Sequence, residues 1–199
     1  MNEPSSPRIA GILLAAGAGS RFGNGAYSGG GKLTHLLDGV AIGVRAARNM
    51  QAAALAVTAV VRPGSDELMR LLQNEGVAVT QCANAAEGMG VSLAYVITQT
   101  REAAGWVVAL ADMPRIQPQS IRQIANALTQ GALIAAPAYQ GERGHPVGFS
   151  ARLLDELLAL GGDEGARAVI MKHRDALQLI ACDDAGVIFD IDSRADLQR

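Results

Sequence analysis

Between its first apolar run and Lys32 the chain carries AGAGSRFGNGAYSGGG (residues 16–31), in which Arg21 stands among glycines and alanines, with Lys32 immediately after the stretch. Glycine lets the backbone approach a ligand closely and turn successive N–H groups toward one anion. Arg21 adds a planar fork of donors and Lys32 a compact charge on a flexible stem, a pairing suited to polyphosphate. A plain glycine-rich surface loop is the competing reading. The second chemical signal is Asp112, in WVVALADMPRIQP (106–118), where an apolar run ends and Pro114 keeps a helix from starting at once. A carboxylate at the carboxyl edge of a sheet, near a phosphate-binding loop, is placed to hold Mg²⁺ against phosphate oxygens. The simpler alternative is a turn cap.

Spacing narrows the phosphate ligand. Gly17 and Gly19 open a Gly-x-Gly-x-x-Gly dinucleotide fingerprint, but Phe22 stands at its third glycine, and Val61-Arg62-Pro63 follows the second apolar run where an acidic residue is wanted. NAD is disfavoured, and an NADP oxidoreductase is the form of that reading left open. A P-loop fails twice, because Leu33 follows Gly31-Lys32 and Ala26 stands at the upstream glycine position. His35, His145 and His173 are too dispersed for a metal triad, and Cys82 and Cys182 form neither a disulfide framework nor a metal pair.

The elements that must position these groups read as an alternation. Short continuous apolar runs at 9–15, 55–61, 77–82, 106–111 and 133–138 predict strands buried on both faces. Helical spacing over 41–53, 66–74, 91–99 and 120–130 predicts helices between them, with Ser65 and Pro118 as start signals. The expected fold is α/β, a three-layer sandwich around a Rossmann-like, mostly parallel sheet, in which ligands bind beyond the carboxyl ends of the strands. The last third is less regular. After Gly144-His145-Pro146 come 147–149, helical stretches at 151–160 and 165–173, and apolar runs at 177–181 and 187–191, a tail suited to an antiparallel addition that ends on Asp190 and Asp192. One domain over 1–199 is expected, with 1–7 a flexible tail.

Composition excludes several classes. The 199 residues are 49% hydrophobic and 18% charged, which is globular, and no apolar run nears the roughly 18 residues of a membrane helix. The formal charge is −2 and the basic residues are scattered, so the basic stripe expected of a nucleic-acid partner is missing. The polar, proline-punctuated start does not resemble a signal peptide, and the expectation is a cytoplasmic protein without a membrane partner.

Five pieces in order carry a family resemblance. LLAAGAGSRFG (13–23) with Lys32-Leu33, then NAAEGMGVSL (84–93), ALADMP (109–114), GERGHPVGF (141–149) and FDIDSRADL (189–197) resemble the nucleotidyltransferases of the molybdenum-cofactor group, of the molybdenum cofactor cytidylyltransferase or MobA-like NTP transferase type. The resemblance implies Mg²⁺-dependent transfer of CMP from CTP to a molybdopterin-type cofactor with release of pyrophosphate, and a molybdoenzyme or chaperone as a protein partner. Carried over residue by residue, Arg21, Lys32 and Asp112 would be catalytic, the two cations holding phosphates. Asp112 and Asp192 would ligate Mg²⁺. Leu14, Ala15, Ala16, Gly17, Ala18 and Gly19, with Asn84, Gly88 and Ser92, would meet the nucleotide, and Gly144, His145 and Pro146 the acceptor. Alanine in LAAG is the cytidylyl form, where guanylyl relatives show LAGG. GTP use, another phosphorylated acceptor, or nucleotide binding without turnover are the alternatives. The sequence departs from the family pattern in the lengthened stretch 24–31, in THLLDG after Lys32, and in Ser193-Arg194 for the usual Thr-Pro.

Overall fold

Seven small or apolar residues, Ile9–Ala15, form β1, and a strand that can be covered on both faces takes the interior of a sheet. In the computed structural model of the chain, which describes residues 8–17, 22 and 31–198, the hairpin β2 (Leu36–Leu37) and β3 (Val40–Ala41) leads into α1 (Ile42–Ala52). There follow β4 (Ala56–Val61), α2 (Asp66–Asn74), β5 (Ala78–Gln81), α3 (Met89–Gln99), β6 (Gly105–Leu110) and α4 (Pro118–Thr129). The remainder is β7 (Ile134–Tyr139), β8 (Glu142–Arg143), β9 (Val147–Ser150), α5 (Leu154–Leu158), α6 (Arg167–Lys172) and β10 (Leu177–Ala181). The expectations for 1–7, for Ala18, Gly19 and Arg21, and for most of the lengthened stretch lie outside the described residues.

The sheet order is β10-β7-β9-β6-β1-β4-β5, with β8 on β7. β1 pairs in parallel with β4 and β6, β4 with β5, and β10 with β7. β9 lies antiparallel between β6 and β7. This is the α/β, mostly parallel sheet read from the sequence, with β9 as its antiparallel insertion. Strand residues alternate between faces. Leu13, Val57, Ala59 and Val107 pack with Met50 of α1, Leu72 of α2 and Ile124 of α4, while Ile12, Val60, Trp106 and Phe149 pack with Leu93 of α3, Leu157 of α5 and Val169 of α6. Small residues set how near the helices come. A Cβ on Gly148 would lie 2.7 Å from Cγ2 of Ile124, so α4 can rest on β9 only because that position has no side chain.

Local signals explain the helix limits. Asp66 and Glu67 stand in the first turn of α2, where carboxylates favour the dipole, and Gly76 follows its end at φ +75°. Pro118 opens α4 with the φ a first turn needs. Three expectations need correction. The helix expected over 151–160 is a 3-10 turn (Ala151–Leu153) followed by α5, and the one over 165–173 is the shorter α6. The run 187–191 is no strand, because 185–188 wind as a 3-10 turn in which Val187 N–H donates to Asp184 C=O and Phe189 N–H to Gly186 C=O, each 3.3 Å, and its bonds to other segments are isolated ones, Val187 C=O from His145 N–H at 2.8 Å and Ile191 N–H to Asp112 C=O at 2.9 Å. No helix of the described residues is long and apolar enough to cross a membrane.

Candidate active site

Asp112 follows β6 directly. The N–H of Ala111 donates to the Leu14 carbonyl at 3.0 Å, which fixes the turn after β6 against the end of β1, and the Asp112 carbonyl accepts from Ile191 N–H at 2.9 Å. Ile191 is fully buried with Phe22, Leu37 and Ile42 in a small separate core that also touches Leu33, Phe189 and Leu197. With Ile191 anchored inward, its neighbours Asp190 and Asp192 are left on the open side. Lys32 enters from the other flank at the start of a 3-10 turn (Lys32–Thr34), with Leu33 lodged in that same small core.

The result is one cluster. Lys32 Nζ lies 2.7 Å from Asp112 Oδ2 and 3.4 Å from Asp192 Oδ1. Carboxylate oxygens of Asp112, Asp190 and Asp192 all lie within 4.8 Å of one another. Desolvation first, then the charge of Asp192, pushes the Asp190 carboxyl above its ordinary range, as expected where carboxylates crowd. Hard oxygen donors gathered this way, with an ammonium already drawn among them, fit Mg²⁺ or Mn²⁺. Asp190 was not singled out from the sequence as a member of this cluster. Its signal was the Asp-Ile-Asp alternation, which puts two carboxylates on one side of an extended segment while the isoleucine anchors the other.

The other expected residues fall around the cluster unevenly. Leu14 and Ala15 end β1 beside Asp112, and Gly17 is exposed, with nothing among the described residues near where its Cβ would stand. Asn84, Gly88 and Ser92 lie past the carboxyl end of β5, at the same edge of the sheet as the end of β1, since β1, β4 and β5 run parallel. Asn84 is exposed, while Ser92 is 2% exposed and its hydroxyl turns back to the Gly88 carbonyl at 3.4 Å. Ser92 therefore builds the start of α3, and reaching a ligand from there requires a rotamer change. Gly88 has φ +127°, and a Cβ on it would run into the backbone of Gly162, so only glycine fits.

Gly144 is equally constrained, since a Cβ there would strike the Val187 carbonyl. Beside it the His145–Pro146 peptide is cis. The His145 ring buries Nδ1 without a hydrogen-bond partner in the described residues. Burial, then the charge of Arg143, pushes this imidazole down to about 4 against a smaller opposing pull from Asp112, so it is neutral at pH 7 and in electrostatic reach of the cluster. His35 meets the Phe22 ring edge-on with centroids 5.4 Å apart, and His173 pairs with Glu156 at 2.9 Å. An open cleft of about 570 Å³ between α1 and residues 114–118 is lined by Arg45, Arg48 and Arg115 but by none of the three carboxylates.

The model of the MobA-like NTP transferase domain family matches residues 11–177. The chain belongs to this family and is a nucleotidyltransferase. No curated protein matches the sequence. Among solved structures it is similar to Rv0371c of Mycobacterium tuberculosis H37Rv, at 23% identity and TM-score 0.84, covering 98% of this chain and 97% of that one. A second structure of Rv0371c, in complex with manganese, superposes with TM-score 0.76 at 23% identity over 96% and 97% of the two chains. A nucleotidyl transferase of Methanothermobacter thermautotroptrophicus is 21% identical with TM-score 0.78 over 96% and 95%.

Proposed function

We propose that this chain, working as one domain in the cytoplasm, transfers CMP from CTP to a molybdopterin-type cofactor. The observation that carries the reading is the meeting of Lys32, Asp112, Asp190 and Asp192 at the carboxyl edge beside the end of β1. An oxygen of the acceptor's terminal phosphate bonds to the α-phosphorus of CTP, the bond from that phosphorus to the bridging oxygen breaks, and pyrophosphate leaves. The acceptor phosphate is already mostly ionised at neutral pH, so no strong general base is called for. Arg21 and Lys32 hold the triphosphate, backbone N–H groups of residues 14–19 meet it, and Asn84, Gly88 and Ser92 border base and ribose. Gly144, His145 and Pro146 face the acceptor, where a neutral imidazole adds a hydrogen bond without a charge. Asp112, Asp190 and Asp192 would hold Mg²⁺, which supplies charge neutralisation at the phosphates when bound. Catalysis is then positioning and electrostatics. The alanine of LAAG supports CTP over GTP, and the manganese complex of Rv0371c is consistent with a divalent cation.

Thermal melts with CTP, GTP and ATP, each with and without Mg²⁺, test this on the wild type and on Asp112→Ala. A ligand at a hundredfold its Kd stabilises by about 2.7 kcal/mol, which raises Tm by roughly 5–10 °C in a domain of this size. CTP is expected to give that shift only with Mg²⁺ and Asp112 present. A larger shift with GTP reassigns the donor, and no shift with any triphosphate overturns the reading.

A further inference from the structure

The position of Lys32 says more than that a lysine lies near phosphates. Its side chain is only 10% exposed, and its ammonium sits 2.7 Å from Oδ2 of Asp112 and 3.4 Å from Oδ1 of Asp192, between two of the three carboxylates that lie within ligand reach of each other. Mg²⁺ takes carboxylate oxygens at about 2.0–2.1 Å, so on this cluster it would stand within a few ångström of the ammonium, and repulsion between the like charges opposes their sharing the same carboxylates. We propose that Lys32 is the built-in counter-cation of this cluster, and that Asp112 and Asp192 exchange it for a divalent cation, releasing the ammonium toward the triphosphate. The inference rests on the nucleotidyltransferase site described above and adds to it an order of events.

The residue type suits the exchange. Lysine carries a point charge on a four-carbon stem and can swing without breaking a planar bidentate pair, which arginine could not do. Gly31 precedes it in extended conformation, and among the described residues nothing lies near where its Cβ would stand. While Lys32 stays in place it neutralises part of the crowded negative charge. Once displaced it needs a new anion, and the triphosphate is one. Cation and nucleotide therefore bind cooperatively, each more tightly in the presence of the other, with Lys32 as the shared element.

The chain's lysine content makes this directly measurable, because Lys32 and Lys172 are its only lysines. Lys172 is 65% exposed and pairs with Glu156 on the surface at 3.0 Å, so it serves as an internal reference. Reductive methylation of the intact chain, quantified by mass spectrometry at both sites, is expected to label Lys172 readily and Lys32 slowly. Saturating MnCl₂ is expected to speed labelling of Lys32 several-fold and leave Lys172 unchanged. In parallel, electron paramagnetic resonance of Mn²⁺ gives the affinity, and Lys32→Met is expected to bind Mn²⁺ roughly 5- to 150-fold more tightly than the wild type without nucleotide. If Mn²⁺ binds, with binding lost in Asp112→Asn, while Lys32 labelling stays unchanged, the exchange is wrong and the metal site stands. If Mn²⁺ does not bind at all, the exchange and the metal site fall together.

Discussion

Asp184 is a 4% exposed carboxylate that accepts from the Gln117 and Gly186 N–H groups at 2.8 and 2.9 Å and from the Ser120 hydroxyl at 2.7 Å. It ties the start of α4 to the segment that delivers Asp190 and Asp192. Asp184→Ala leaves three donors without an acceptor, those of Ser120 and Gly186 on buried residues, and is expected to cost about 3 kcal/mol in urea unfolding, while Asp184→Asn, which keeps an acceptor oxygen, costs less. A loss under about 1 kcal/mol for the alanine variant would remove this carboxylate from the account. His145 gives a pH prediction whose sign follows from its depressed pKa of about 4. Between about pH 6.5 and 4 the unfolded chain takes up a proton that the native chain refuses, so stability falls as pH falls across that window, by up to about 3 kcal/mol. His145→Gln is expected to flatten the slope of unfolding free energy against pH there, and an unchanged slope would refute the assignment. At this scale Lys32 and Asp112 were legible because their residue types and flanking patterns are unusual. Asp184 and Asp190 were not, since what distinguishes them is who meets them across roughly 65 to 80 residues of chain.

Long buried strands and amphipathic helices were legible as elements because burial on one or both faces leaves a period in the sequence. The strand 9–15 and the helix 66–74 come out with the limits read from the residues. The two-residue strands β2, β3 and β8 were not legible, since no period fits in two residues. The run 187–191 misled in the opposite direction, being apolar because Val187 and Ile191 are fully buried by packing, while the backbone over Ala185–Ile188 winds as a 3-10 turn. Contact between elements supplies a further test. The methyl of Gly144→Ala would meet the Val187 carbonyl and push the segment 185–192 outward. Such overpacking is expected to cost about 1–3 kcal/mol and to weaken Mn²⁺ binding at the same time. A variant that loses stability but keeps its Mn²⁺ affinity would show that this contact does not position the carboxylates.

Across the whole molecule, Trp106, the chain's one tryptophan, is fully buried in β6, and its indole N–H donates to Thr100 Oγ1 at 3.0 Å. Its fluorescence reports the middle of the sheet, whereas far-UV circular dichroism reports all the helices. A chain that works as one domain is expected to give coincident urea transitions by both probes, and separated midpoints would divide it into independent units. The bond from Ile191 to Asp112 has a consequence for how the protein is made. Chains fold from the N-terminal side as they leave the ribosome, and β1 through β9 are synthesised before Asp190 and Asp192 exist. A nascent chain thus carries Asp112 long before Asp190 and Asp192 arrive to complete the cluster. On the proposed function, it is expected to hold no divalent cation until the segment after β10 docks.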